Sequence, residues 1–133
     1  MAQNFTKGLK SLIDEANSEV AVMTIDDAKV KVSDENYVFV DIRDGTEVQR
    51  TGLLPGAVHC SRGTMEFQIA PDSPHHKPVF NQDKTYVFYC AAAGRSALAA
   101  KLAMDMGMSP VMHMAGGFDE WVKQGGPVDT SQN

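Results

Sequence analysis

The sequence predicts an α/β domain with a mostly parallel central sheet of about five strands and helices on both faces. Five short apolar runs, at residues 20–23, 37–40, 57–60, 86–89 and 111–114, have the length of strands. Segments with apolar residues at helical spacing lie between several of them, and strands that alternate with helices pair in parallel. The runs at 37–40 and 86–89 are apolar throughout instead of alternating, as expected of strands covered on both sides.

Each element has its own justification. Leu9, Leu12, Ile13 and Ala16 recur at helical spacing, so residues 1–19 read as an N-terminal helical extension. Its stripe is expected to pack on the sheet, with a dimer or partner contact as the alternative. After the strand at 20–23, Thr24 with Asp27 three residues on marks a helix start leading through Ala28 to Val32. A loop over Ser33, Asp34, Glu35 and Asn36 precedes the central strand at 37–40. Residues 70–78 contain three prolines and read as a rigid loop. Beyond the strand at 86–89, Leu98, Leu102 and Met106 form a stripe at i, i+4, i+8, with Ala99 and Ala103 on the same side. Gly107 stops that helix and Pro110 forbids its continuation. Phe118 and Trp121, one turn apart, anchor a last helix that ends at Gly125-Gly126-Pro127. The domain proper covers residues 20–128, leaving a tail at 129–133.

Composition narrows the function classes. A chain of 133 residues fits one domain with a real core. A net charge of −5 without a basic cluster argues against nucleic acid or an anionic membrane as partner. The longest apolar run, residues 86–93, falls far short of the roughly 18 residues a membrane span needs. With no signal-like segment at the start, the expectation is a soluble, cytoplasmic protein. Two cysteines make no disulfide framework. The four histidines, His75, His76 and His113 among them, show none of the paired spacings of structural zinc sites, so no metal site is expected. The methionines at 104, 106, 108, 112 and 114 read as core filler.

The chemistry-bearing segment is Cys90-Ala91-Ala92-Ala93-Gly94-Arg95-Ser96, a loop of small residues between an apolar strand and a helix. Backbone N–H groups of such a loop can converge on the sulfur. The positive end of the following helix and the guanidinium of Arg95 favour negative charge there. A buried, inert cysteine at a strand end is the alternative that this segment alone leaves open. Ala91, Ala92 and Ala93 let the loop turn tightly, Gly94 tolerates unusual backbone angles, and Arg95 and Ser96 close it with polar groups.

Four landmarks in order make the chain resemble the rhodanese-like family of sulfurtransferases from about residue 24 to residue 126. Val38-Phe39-Val40-Asp41-Ile42-Arg43 is similar to the family's central strand ending in Asp-x-Arg. Gly52-Leu53-Leu54-Pro55-Gly56-Ala57-Val58-His59 resembles its turn into the next strand. Cys90 to Ser96 matches the active-site loop, and Gly116-Gly117-Phe118-Asp119-Glu120-Trp121 resembles the closing element of paired glycines and an aromatic helix.

The resemblance implies a three-layer rhodanese-like domain standing alone, not paired as in some members. It implies a catalytic Cys90 that takes a sulfane sulfur as a persulfide and surrenders it to a thiophilic acceptor. Residues Ala91 to Ser96 would hold the anionic sulfur, with Arg95 bracing the loop first of all. Asp41 and Arg43 would lie beside the loop and hydrogen-bond it, since opposite charges at a strand end are costly to bury unless paired. No cofactor is implied. The partners would be a small sulfur donor such as thiosulfate, a persulfide or a polysulfide, or else a protein persulfide, with a thiol or cyanide as acceptor; the oligomeric state stays open. Related phosphatases and arsenate reductases form the competing enzyme reading, and a non-catalytic interaction module the third. The phosphatases carry one residue more between cysteine and arginine, where this chain has four. Many thiosulfate-using members place a basic residue directly after the cysteine, where this chain has Ala91, so thiosulfate is expected to be a poor donor. Arg62 is a weak candidate for further positive charge near the pocket. Cys60 reads as a core or pocket-wall residue, with a resolving thiol as the alternative, and His59 as support for the fold.

Overall fold

The computed structural model describes residues 2–131, so the first residue of the N-terminal extension and the last two of the tail lie outside the described residues. Six helices and five strands follow one another as α1 (Leu9–Glu19), β1 (Ala21–Met23), α2 (Ile25–Lys31), β2 (Tyr37–Asp41), α3 (Gly45–Thr51), β3 (Val58–His59), α4 (Met65–Ile69), β4 (Thr85–Tyr89), α5 (Gly94–Asp105), β5 (Val111–Met114) and α6 (Gly117–Lys123). Short 3-10 turns at Arg62–Thr64 and Pro78–Phe80 flank the stretch around α4. The sheet has strand order β1-β5-β4-β2-β3, with every pairing parallel.

Alternation along the central strands divides the core into two layers. Val38 and Val40 of β2, with Tyr86 and Phe88 of β4, face the side covered by α4 and α5, together with Met65, Ile69, Ala99, Ala100 and Ala103. Phe39, Val87 and Tyr89 face the opposite side, where Ile25 and Ala28 of α2 and Phe118 and Trp121 of α6 cover them. The result is the expected three-layer arrangement. Cys90 continues the β4 alternation onto the α5 side.

Local chemistry explains the element ends. The Thr24 hydroxyl accepts the Asp27 N–H at 3.1 Å, capping α2 where the sequence predicts. Trp121 is fully buried and donates its indole N–H to the Pro127 carbonyl at 2.8 Å, which fixes the chain beyond α6. Leu53 and Asp129 then exchange backbone hydrogen bonds of 3.0 and 2.8 Å, so the start of the expected tail is stitched to the body.

Two expectations are corrected, and two helices are additions. The buried face of α5 consists of Ser96, Ala97, Ala99, Ala100 and Ala103, while Leu98 and Leu102 are half-buried and Met106 is exposed. Alanines let the helix approach the sheet closely, and the longer side chains are displaced to its flanks. Helix α1 packs on α5 instead of on the sheet and buries only Ala16 among its residues, leaving Leu9 and Leu12 exposed. Helices α3 and α4 were not anticipated: α3 buries only Val48 and α4 has five residues, so neither carries an apolar stripe of its own.

The Asp41 and Arg43 side chains are buried at the carboxyl end of β2. Arg43 donates from Nε to both carboxylate oxygens at 3.0 and 3.1 Å and from Nη2 to Oδ2 at 2.7 Å. Its remaining donors reach the Gly52 carbonyl at 2.8 Å and the Thr51 hydroxyl at 2.9 Å, and its guanidinium stacks 4.1 Å over the Phe118 ring. Replacing Arg43 by Met leaves an uncompensated buried carboxylate and is expected to cost about 3–5 kcal/mol. In denaturant titrations, the double variant Asp41→Leu/Arg43→Met should recover much of that loss. A single-variant loss below about 1 kcal/mol would contradict the pairing's structural role.

Candidate active site

Register places the site. Asp41 pairs with Tyr89 across β2 and β4 and with His59 across β2 and β3, and Phe88 pairs with His113 across β4 and β5. The chain therefore leaves β4 at Cys90 on the carboxyl edge of the sheet, where parallel α/β sheets bind their ligands. Cys90 is 1% exposed, and its Sγ lies 3.6 Å from the Ser96 hydroxyl. Ser96 donates to the Ala93 carbonyl at 3.0 Å, closing the loop on itself. Among the described residues, no protein acceptor takes the backbone N–H groups of Ala91, Ala92 or Ala93. Gly94, Arg95 and Ser96 form the first turn of α5, whose N-terminus has no side-chain cap and whose leading N–H groups have no intrahelical partner. The loop is thus rich in free donors beside a thiol, the requirement for holding anionic sulfur.

The loop is held from behind by the turn that follows β5. Gly116 and Gly117 both take left-handed backbone angles, with φ of 73° and 63°. A Cβ at Gly117 would overlap the carbonyl oxygens of Ala92, Cys90 and Ala91, so this position needs glycine for space as well as for conformation. The close approach lets Phe118 and Asp119 donate their N–H groups to the Cys90 and Ala91 carbonyls, at 2.7 and 2.9 Å. Those two carbonyls are thereby engaged by the turn.

Arg95 ties the first turn of α5 to a residue that sequence reasoning missed. Nη1 and Nη2 form a two-pronged pair with Glu47 of α3 at 2.8 and 3.0 Å. Glu47 also accepts the Asp44 N–H at 2.9 Å, which caps α3. The Arg95 hydrogen bonds and the capping N–H hold the Glu47 carboxyl at about 2, well below its usual 4.5. Asp44 followed three residues later by Glu47 is a capping-box pattern and was the available signal.

Asp41 and Arg43 stand beside this assembly but serve it differently from the expectation. Their hydrogen bonds run to each other and to Thr51 and Gly52, not to the 91–96 loop. Their link to the loop is Arg43 stacked on Phe118, whose N–H holds Cys90. Arg62 lies 3.9 Å from Glu66 and does not line the cleft beside Cys90. Cys60 is fully buried, and burial pushes its thiol up to about 11, which fits a core residue. His59 donates from Nε2 to the Arg43 carbonyl, 2.7 Å away.

A cleft of about 310 Å³ opens on the thiol. Cys90, Ala91, Ala92, Gly94 and Arg95 form one wall, and Leu98 with Leu9 and Ile13 of α1 forms the other. The N-terminal helix is therefore part of the site. A larger cleft of about 530 Å³, bounded by Thr64, Phe67, Gln68, His75 and Lys77, contains none of the expected site residues. His113, weighed in the sequence only as a metal ligand, is 3% exposed and faces Ser96. Its parity with Val111 on the α5 side of β5 was a readable sign.

The Glu47–Arg95 pair gives a pH prediction. Because the folded-state pKa lies below the unfolded value, the pair stabilises the fold above pH 4.5, and this contribution disappears as the pH falls from 4.5 towards 2. Arg95 is 41% exposed, so screening limits the contribution to about 1 kcal/mol. Glu47→Gln should therefore be less stable than the parent at pH 7 by about that amount, with the gap closing in acid-series denaturation curves. A gap that is constant with pH would contradict this.

Comparison with known proteins places this geometry. The rhodanese-like domain matches residues 24–124. A sulfurtransferase of Allochromatium vinosum is 28% identical over 94 residues, covering 71% of this chain and 79% of its own length. A mouse protein named thiosulfate sulfurtransferase/rhodanese-like domain-containing protein 3 is 26% identical over 105 residues, covering 75% of this chain and 67% of its own. A solved structure from Rhodopseudomonas palustris, of unknown function and described as a possible tyrosine phosphatase, is 50% identical with a TM-score of 0.92. It covers 97% of this chain and 99% of its own, a span that necessarily takes in α1. With the cysteine loop at the carboxyl edge of the five-stranded sheet and the match over three quarters of its length, the chain belongs to the rhodanese-like domain family.

Proposed function

We propose that the protein is a sulfurtransferase that carries sulfane sulfur as a Cys90 persulfide. The observation that carries this reading is the Cys90 thiol at the head of a loop whose Ala91, Ala92 and Ala93 N–H groups have no protein acceptor among the described residues, with four residues between Cys90 and Arg95. In the cycle, the Cys90 thiolate attacks the outer sulfur of a donor R–S–S⁻. The Cys90 S–S bond forms, the donor S–S bond breaks, and R–S⁻ departs. Cyanide or an acceptor thiolate then attacks the terminal sulfur, leaving as thiocyanate or a new persulfide and returning the thiolate. The loop donors stabilise negative charge on the transferred atom in both halves.

The cleft's charge supports a donor of low charge. Among the described residues, the cation lining it is Arg95, which is engaged by Glu47, and the other wall is leucine and isoleucine. With Ala91 following the cysteine, nothing on this wall offers a free positive charge to the thiosulfate dianion. A small-molecule persulfide or polysulfide suits the site better.

The name given to the Rhodopseudomonas palustris protein favours a second reading, a phosphatase. Against it, the loop arginine that would clamp a phosphoryl group is already paired, and the nearby carboxylates of Asp41 and Glu47 are both committed to arginines. A general acid for the leaving group is harder to assign.

The test is intact mass spectrometry with peptide mapping after exposure to thiosulfate and, separately, to polysulfide. The expected result is a cyanide-labile gain of one sulfur on Cys90, larger with polysulfide. Cys90→Ser should abolish the gain in a folded protein, and Cys60→Ser should retain most of it. Comparable loss in folded Cys60→Ser would favour a two-thiol mechanism. No adduct from either donor, together with hydrolysis of an aryl phosphate, would establish the phosphatase reading instead.

A further inference from the structure

Behind Cys90 runs a chain of polar side chains that leaves the domain's conventional limits. His113 Nδ1 lies 3.5 Å from the Ser96 hydroxyl, which is itself 3.6 Å from the Cys90 sulfur. On its other side, His113 Nε2 lies 2.9 Å from Oδ1 of Asn17, on α1. An amide oxygen only accepts, so the hydrogen must sit on Nε2, which leaves Nδ1 with a lone pair directed at Ser96. Three elements thus meet at one imidazole: β5 carries it, α5 brings Ser96, and α1, outside the family match, brings the residue that sets its tautomer.

We infer that His113 is a positioning residue that receives the Cys90 proton through Ser96, with Asn17 holding it in the accepting tautomer. In this step the Cys90 S–H bond breaks and its proton passes to the Ser96 oxygen. The Ser96 hydroxyl, rotated away from the Ala93 carbonyl, passes its own proton to His113 Nδ1. The electron pair stays on sulfur, so the products are a thiolate and an imidazolium whose Nε2–H remains bonded to Asn17. No oxidant or further reactant enters.

The surroundings suit this role. Val22 of β1 and Phe88 of β4 flank His113 in the sheet, and both are apolar. Charged side chains on α1 and α5 are held in their own pairs: Lys10 with Asp14, Glu15 with Lys7 just before α1, Lys101 with Glu19 and Asp105, and Arg95 with Glu47. Burial lowers the His113 pKa, which keeps the ring neutral and able to accept in the resting state. A buried imidazolium is unfavourable alone but is compensated when the proton it receives leaves a thiolate nearby.

The inference rests on Cys90 being the nucleophile, but its test reads thiolate formation and not sulfur transfer, so the two fail separately. The rate of Cys90 alkylation by iodoacetamide, followed by mass spectrometry, is measured against pH for the parent, His113→Phe, Ser96→Ala and Asn17→Ala. The pH midpoint should rise by about one unit in folded His113→Phe and Ser96→Ala, with alkylation at pH 7 about tenfold slower. Asn17→Ala, on an exposed position of α1, should shift the midpoint the same way by a smaller amount. A purely structural role would lower the melting temperature and leave the midpoint in place. An unmoved midpoint in folded His113→Phe overturns the inference. Should that variant fail to fold, an unmoved midpoint in Asn17→Ala does so.

Discussion

The structure depends on the contact between the glycine turn after β5 and the backbone of the cysteine loop. Phe118 and Asp119 donate to the Cys90 and Ala91 carbonyls across a gap that no Cβ at Gly117 could share. Among the described residues, the N–H groups of Ala91, Ala92 and Ala93 have no protein acceptor while their neighbouring carbonyls are held. A loop of alanines has no side chains with which to define its own shape, so definition must come from outside it. The same turn starts α6, whose Trp121 and Phe118 fill the core on the far face of the sheet. Site and core are therefore fixed by one short segment.

Charge is arranged so that little of it is free at the sulfur. The site region holds two arginines, and each has a carboxylate partner: Arg43 with Asp41 in the interior, Arg95 with Glu47 at the rim. The first pair ties the end of β2 to the Thr51–Gly52 turn and stacks on Phe118, reaching the loop indirectly. The second joins the first turn of α5 to α3 and keeps the guanidinium from acting as a free anion receptor. In the proposed cycle, anionic sulfur would be held by the partial charge of backbone donors, which act at short range and suit one atom better than a large dianion.

Much of this was legible in the sequence. Cys90 with its small-residue loop, the Asp41-x-Arg43 ending of β2 and the Gly116-Gly117 turn stand in local patterns whose physics is local, and the five apolar runs became strands with ends displaced by at most one residue. The order of strands in the sheet was not written in any single segment. Neither was the packing of α1 on α5, since a stripe of Leu9, Leu12, Ile13 and Ala16 says what is apolar but not which surface receives it. Glu47 and Asn17 reach the site from 48 and 96 residues away in the chain from their partners, and such contacts are set by topology. The α5 stripe misled because bulk was taken for burial, whereas close helix–sheet approach selects alanine.

The central claim is that a loop shaped by its neighbours holds a single sulfur atom on Cys90. A crystal structure of the protein after polysulfide treatment tests it most directly. The account predicts a persulfide on Cys90 with its terminal sulfur among the backbone N–H groups of the 91–96 loop, while Phe118 and Asp119 still hold the Cys90 and Ala91 carbonyls. A terminal sulfur directed away from those donors, a loop released from the glycine turn, or modification of Cys60 with Cys90 untouched would contradict it.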